Sequence, residues 1–248
     1  MASPATTAFR LDARSTSLEV HLLGMVDFEA ALFLQERIGY EISGRNDTRG
    51  GLILCEHPPL VTVGREGSRA HILADDDELA ARQMDVRWVN RGGGCIAHAP
   101  GQLAVYPIVP LDRLQLGLST YRRLLEESVV DVCQGLQVSG VLRDDEPGVW
   151  CRCGQVAHVG VAVKSWVSYH GLFLNVSPAL DAMRLVRANR SGTRVTSLSA
   201  QRVRVTSMQA VRADIVRALS ARLGYVRYHI YAGHPQLQRS RSRVHVTA

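Results

Sequence analysis

Lysine is almost absent from this chain: Lys164 is the only one, and the other 28 of its 29 lysine and arginine residues are arginine. A composition bias toward arginine accounts for the exchange, and it leaves a single side-chain amine for any chemistry that needs one. Cysteine is scarce and odd in number, since Cys55, Cys95, Cys133, Cys151 and Cys153 form neither a disulfide framework nor paired CxxC zinc motifs. That excludes a stapled secreted scaffold and suits a reducing cytoplasm. No run reaches the roughly 18 uninterrupted apolar residues of a membrane helix. The first 17 residues lack the apolar centre of a signal peptide, so no membrane partner is expected.

What remains is ordinary for a soluble globular protein: 248 residues, 46% hydrophobic and 21% charged. Such a length buries a core without metal or disulfide help. The formal net charge is +6, but the arginines are dispersed instead of gathered into a stripe, so no nucleic-acid partner is expected.

Apolar periodicity predicts a helix over Met25–Tyr40, a strand from Gly50 to Leu54, a helix over Asp75–Met84 and a strand from Val86 to Asn90. A Gly-rich loop then spans Arg91–Gly101, followed by a strand over Leu103–Val109 and a hydroxyl-capped helix over Ser119–Leu136 with Leu124, Val129 and Val132 buried. Two strands between Gly148 and Val163 are expected to turn near Arg152, with a third from Trp166 to Val176. Thr206 or Ser207 caps a last helix that buries Met208, Val211, Ile215, Leu219 and Leu223 and ends at Gly224. The expectation is one α+β domain over residues 18–231, with a loose tail at 1–17 and a basic tail at 232–248.

Four motifs recur in a fixed order. They are Glu56-His57-Pro58-Pro59 with Thr62-Val63-Gly64-Arg65, then Arg91-Gly92-Gly93 with His98 and Pro100-Gly101-Gln102. The third runs from Pro147-Gly148-Val149-Trp150 through Val159-Gly160-Val161 to His170-Gly171-Leu172, and the last is Arg194-Val195-Thr196-Ser197-Leu198. Successive glycines let a backbone approach a ligand closely. In this order the motifs resemble the octanoyltransferases, relatives of the lipoate and biotin ligases. The resemblance implies a mixed, largely antiparallel sheet flanked by helices, no cofactor and no metal, and octanoyl-acyl carrier protein and lipoyl domains as partners. It also implies an acyl pocket formed by Arg91, Gly92, Gly93, Gly94, Cys95, Ile96, Ala97 and His98, by His158, Val159 and Gly160, and by Gly171, Leu172 and Phe173. Such a pocket is expected to be narrow and apolar.

In that family a cysteine takes the octanoyl group as a thioester and a lysine activates it. Ungapped spacing puts the cysteine's place at Ala188 and the lysine's at Gln155. Ile96 and Ala99 also replace the family's threonine and glycine. Lys164, nine residues beyond Gln155, is expected at a hairpin turn, and Cys95 is the best remaining thiol. Cys151 and Cys153 are expected on the face of Gln155. A soft metal site from Cys151, Cys153, His158 and His170 lacks the usual knuckle spacing. His98 or His170 is expected to hydrogen-bond a substrate carbonyl. Two functions follow: acyl transfer between carrier protein and lipoyl domain, or non-catalytic binding of a medium acyl chain, acyl carrier protein or lipoyl domain.

Overall fold

A computed structural model describes residues 16–188, 192, 194–202 and 205–237. The chain enters the fold earlier than its apolar pattern suggests. Ser17–Met25 is strand β1, whose Leu18 and Val20 are fully buried, and it pairs in parallel with β2, Gly50–Glu56. Between them α1, Phe28–Ser43, starts where Asp27 accepts the backbone N–H groups of Glu29 and Ala30. Strand β6, Gln102–Ile108, runs antiparallel to β2 and pairs on its far side with β9, Val167–Asn175. Strands β8, Gly154–Lys164, and β7, Val149–Cys151, complete that edge, turning at Arg152 and Cys153.

The opposite edge holds β10, Arg227–Ala232, parallel to β1, which gives a seven-stranded mixed sheet in the order β10-β1-β2-β6-β9-β8-β7. Helix α1 covers one face, packing Ala31, Leu34 and Ile42 against Ile53, Tyr106, Ile108 and Phe173. Helices α3, Leu118–Gly135, and α5, Met208–Arg222, cover the other, where Tyr121, Leu125, Val129, Ile215 and Leu219 meet Leu52, Val105, Val159 and Leu172. Hydrophobic burial on both faces explains why the central strands read as continuous apolar runs.

A small second sheet carries the first two motifs: β3, Leu60–Val63, lies between β4, Asp85–Trp88, and β5, Cys95–His98. Helices α2, Asp76–Ala81, and α4, Leu180–Met183, pack on it through Leu79 and Met183. The Gly-rich segment is therefore only partly a loop, because Cys95–His98 pairs with β3 in antiparallel register. Helix α3 is capped by Gly117 instead of a hydroxyl, since Ser119 falls inside the first turn, and Leu125 lies deeper than Leu124. Helix α5 is capped by Ser207, and Gly224 leaves it at φ +80°. Strands β1 and β10 reach into both expected tails, at Ser17 and Ala232, while residues 1–15 and 238–248 lie outside the described part. Among the described residues no helix is long and apolar enough to cross a membrane.

Candidate functional site

Arg91 organises the Gly-rich segment from the inside. Its side chain is fully buried, and its guanidinium donates to the carbonyls of Gly92, Gly94 and Thr62, each at 3.0 Å, and to Thr62 Oγ1 at 2.7 Å. Burial pushes its pKa down to about 10. The loop can wrap so tightly because glycines sit at the contacts: a Cβ on Gly64 would meet Gly93 O at 2.5 Å, and one on Gly160 would meet Gly92 O at 2.6 Å. The carbonyls thus face the arginine. Among the backbone N–H groups, Gly92 bonds to Val161 O and Gly93 approaches Glu66 Oε1 at 3.4 Å. The loop as folded is a clamp on its own arginine more than a cradle for an anion.

Beside this clamp lies a cavity of ≈ 270 Å³. Its size is just under the roughly 300 Å³ at which drug-sized ligand pockets begin, which is compatible with one slender chain. Residues 194–196 run alongside Gln155, whose N–H bonds to Arg194 O while its carbonyl accepts from Thr196 N, both at 2.8 Å. This pairing brings the segment that contains Ala188 back to β8, and Gln155 and Ala188 line the same cavity. The Gln155 amide donates to Pro147 O at 3.3 Å and Ala157 O at 3.2 Å. Among the described residues neither a cysteine nor a lysine lines the cavity.

Arg91, Gly93, Gly94, Ile96, His158 and Val159 line it as well. The other motif residues do not, for identifiable reasons. Gly92, Gly160 and Gly171 serve close backbone contacts; a Cβ on Gly171 would lie 2.2 Å from Val105 O. Cys95 and Ala97 point into the core of the small sheet, Leu172 into the main core, and Phe173 packs against His98 and Tyr106. His98 is sealed in a polar relay. Gln102 uses its amide N–H groups on Ala97 O and Asn175 Oδ1, so its Oε1 accepts from His98 Nδ1–H at 2.7 Å, and His98 Nε2 accepts from the Thr62 hydroxyl at 2.8 Å. Burial holds its pKa well below the ordinary value.

His170 lines a different recess, between α1 and the β8–β9 turn, where Lys164 also sits. Of the motif histidines, the one that faces the cavity is His158, on β8 between Ala157 and Val159. Neither of its ring nitrogens has a partner among the described residues, and burial lowers its pKa to about 3, so it stands as a neutral hydrogen-bonding imidazole.

Cys95 Sγ donates to Ser68 O at 3.5 Å, and burial raises its pKa, the opposite of an activated thiol. Cys151 is buried in the main core and Cys153 lies exposed on the turn. Among the described residues no group of three or more metal-ligating side chains comes together.

The cavity also contains residues outside the expected pocket: Glu66, His71, Glu146, Pro147 and Arg187. Glu66 and Pro147 directly follow or open motifs, whereas His71 and Arg187 are brought in by the backbone bond from Arg187 N to His71 O at 2.7 Å, a contact with no local signature. The lining is therefore mixed, with an apolar part at Ile96, Pro147, Val159 and Ala188, and not apolar throughout.

The family model described as the lipoyl protein ligase A/B catalytic domain matches residues 27–220. An octanoyltransferase of Geobacter sp. (strain M21) is 40% identical over 182 residues, 72% of this chain and 84% of that protein. One of Chloroflexus aggregans is 40% identical over 191 residues, 75% and 85% respectively. Among solved structures, lipoate-protein ligase A bound with ATP superposes with a TM-score of 0.72 at 17% identity, covering 89% of this chain and 90% of that one. A putative lipoate protein ligase from T. acidophilum with bound lipoic acid gives 0.69 at 16%, covering 89% and 91%. These structures share the fold.

Proposed function

We propose, because this chain belongs to the lipoyl protein ligase A/B catalytic family and within it to the octanoyltransferases, that it serves protein lipoylation in the cytoplasm by holding a medium acyl chain without forming an acyl-enzyme. The chain comes from octanoyl-acyl carrier protein and is destined for a lipoyl domain. The observation that carries this reading is the meeting of Gln155 and Ala188 in one cavity that neither a thiol nor an amine lines. Covalent relay needs a thiolate and a cation to hold it. Binding needs neither. Ile96, Pro147 and Val159 offer apolar wall, and each buried CH₂ of an acyl chain contributes about 0.8 kcal/mol. His158 offers a neutral donor or acceptor for the carbonyl.

Intact-mass measurement after incubation with octanoyl-acyl carrier protein tests this directly. The expected result is an unchanged mass, together with a rise in Tm on adding octanoate that acetate does not give. A hydroxylamine-sensitive octanoyl adduct on the parent chain overturns the reading.

One observation favours a second reading, direct transfer from the thioester to the incoming lysine. His71 is a half-exposed imidazole in the same cavity, able to take a proton from an ammonium group while proximity does the rest. Octanoylation of a lipoyl domain by the parent chain that disappears in His71→Ala supports this version, and its absence from both supports the silent site.

A further inference from the structure

Among the described residues, three arginines beside the cavity have no acidic partner. Arg184, Arg187 and Arg194 line a recess of ≈ 260 Å³ whose other lining residues carry no charge. All three side chains are exposed, and none forms an ion pair among the described residues. Their neighbours behave otherwise: Arg82 pairs with Asp181 at 2.7 Å and Glu78 at 3.5 Å, and Arg69 pairs with Asp76 at 2.7 Å. The nearby carboxylates are thus spoken for, and the recess keeps its positive potential. Guanidinium groups present planar N–H forks that match phosphate oxygens two at a time, and a concave cluster of one sign draws in the opposite charge.

The recess shares Arg187 and Ala188 with the main cavity, so an anion seated there lies at the cavity's mouth. The cavity itself carries both signs, Glu66 and Glu146 beside Arg91 and Arg187, and its apolar wall lies at Ile96, Pro147, Val159 and Ala188. A ligand with an apolar chain at one end and a phosphate at the other matches this division. We propose that the Arg184–Arg187–Arg194 recess binds the phosphate of a phosphorylated acyl thioester whose acyl chain enters the adjoining cavity. This rests on the acyl-binding reading of that cavity. The phosphate can belong to the arm that tethers an acyl group to its carrier protein or to a soluble thioester such as an acyl-coenzyme A.

Calorimetric titration of the full chain separates these terms, using octanoate, octanoyl-pantetheine, octanoyl-coenzyme A and octanoyl-acyl carrier protein. Phosphorylated thioesters are expected to bind roughly tenfold or more tightly than octanoyl-pantetheine, with the difference shrinking as salt rises. The double variant Arg184→Gln, Arg194→Gln, at residues that line the recess and not the cavity, should remove most of that difference and leave octanoate binding unchanged. Should the double variant lose Tm, Arg184→Gln alone decides. Equal arginine dependence for coenzyme A and carrier esters supports a common phosphate site.

Arginine dependence of the carrier ester alone points to the carrier's protein surface and overturns the proposal. So does equal affinity for the pantetheine and coenzyme A esters. If octanoate and octanoyl-pantetheine fail to bind while coenzyme A ester binding still needs the arginines, the anion site stands and the acyl reading falls.

Discussion

Motif spacing assigns Gln155 and Ala188 as the expected places of the family's lysine and cysteine, and their neighbours show what introducing those groups demands. The Gln155 amide is tied to Pro147 O and Ala157 O, contacts that a lysine gives up for a longer reach into the cavity, while Ala188 is half-buried with room beside it. The double substitution Gln155→Lys with Ala188→Cys is therefore expected to create an octanoyl-thioester adduct, read as a mass shift, that the parent cannot form. Ala188→Cys alone should give far less, because an unassisted thiol keeps an ordinary pKa, and Gln155→Lys alone should give none. An adduct of equal yield in the single cysteine variant refutes a need for the lysine. Spacing from the motifs singled out these two positions in the sequence, and the fold brings both to one cavity.

The histidines were not legible in that way. His98 and His158 both belong to motifs, yet only the fold shows that one is locked between Thr62 and Gln102 and the other opens on the cavity. His98→Leu leaves a buried hydroxyl and a buried amide oxygen short of a partner, each worth about 1–3 kcal/mol, so chemical denaturation should show a loss of a few kcal/mol. His158→Leu should spare stability by comparison and weaken ligand binding.

At the scale of elements, the site exists because the Arg91 loop lies flat on β8. Gly160 makes this possible, since a methyl group there meets Gly92 O at 2.6 Å and Arg91 Cδ at 3.2 Å. Backbone cannot yield as a flexible side chain does, so Gly160→Ala is expected to lift the loop and cost about 1–3 kcal/mol. Hydrogen exchange at Gly92, whose N–H is bonded to Val161 O, should rise in that variant while exchange in α5 stays as it was. Unchanged protection at Gly92 contradicts the packing role.

The strands that the sequence pattern missed show what local periodicity leaves out. Strand β10 is exposed at all six positions, so no alternation marks it, and only its pairing with β1 makes it a strand. Strand β5 hides in a glycine-rich stretch because its pairing with β3 sets its conformation, whereas α5 was readable throughout from its apolar stripe, Ser207 and Gly224.

Across the whole molecule, the buried histidines tie stability to pH. Burial lowers the pKa of His57 to about 4 and of His158 and His170 to about 3, from an ordinary value of 6.5. Above pH 6.5 neither the folded nor the unfolded chain carries these protons. Below it the unfolded chain binds them and the folded chain refuses, so stability is full at neutral pH and is lost as pH falls through this window. The slope is about 1.4 kcal/mol per pH unit for each histidine, and these three with His98, whose pKa burial also holds well below 6.5, reach on the order of 11 kcal/mol over two units. That is comparable to the roughly 5–15 kcal/mol by which a domain is stable at all.

Asp47 and Asp181 also favour the folded state when ionised, but their shifts lie below an ordinary value of 3.8 and act only in stronger acid. Calorimetric scans should therefore give a level Tm from pH 7.5 to 6.5 and a steep decline toward pH 4.5, most of it above the range in which Asp47 and Asp181 act. His158→Gln removes one proton acceptor of the unfolded chain and should reduce the slope by about a quarter. A Tm that holds level to pH 4.5 means that these imidazoles are hydrated in the folded chain, and the neutral His158 proposed to face an acyl carbonyl goes with it.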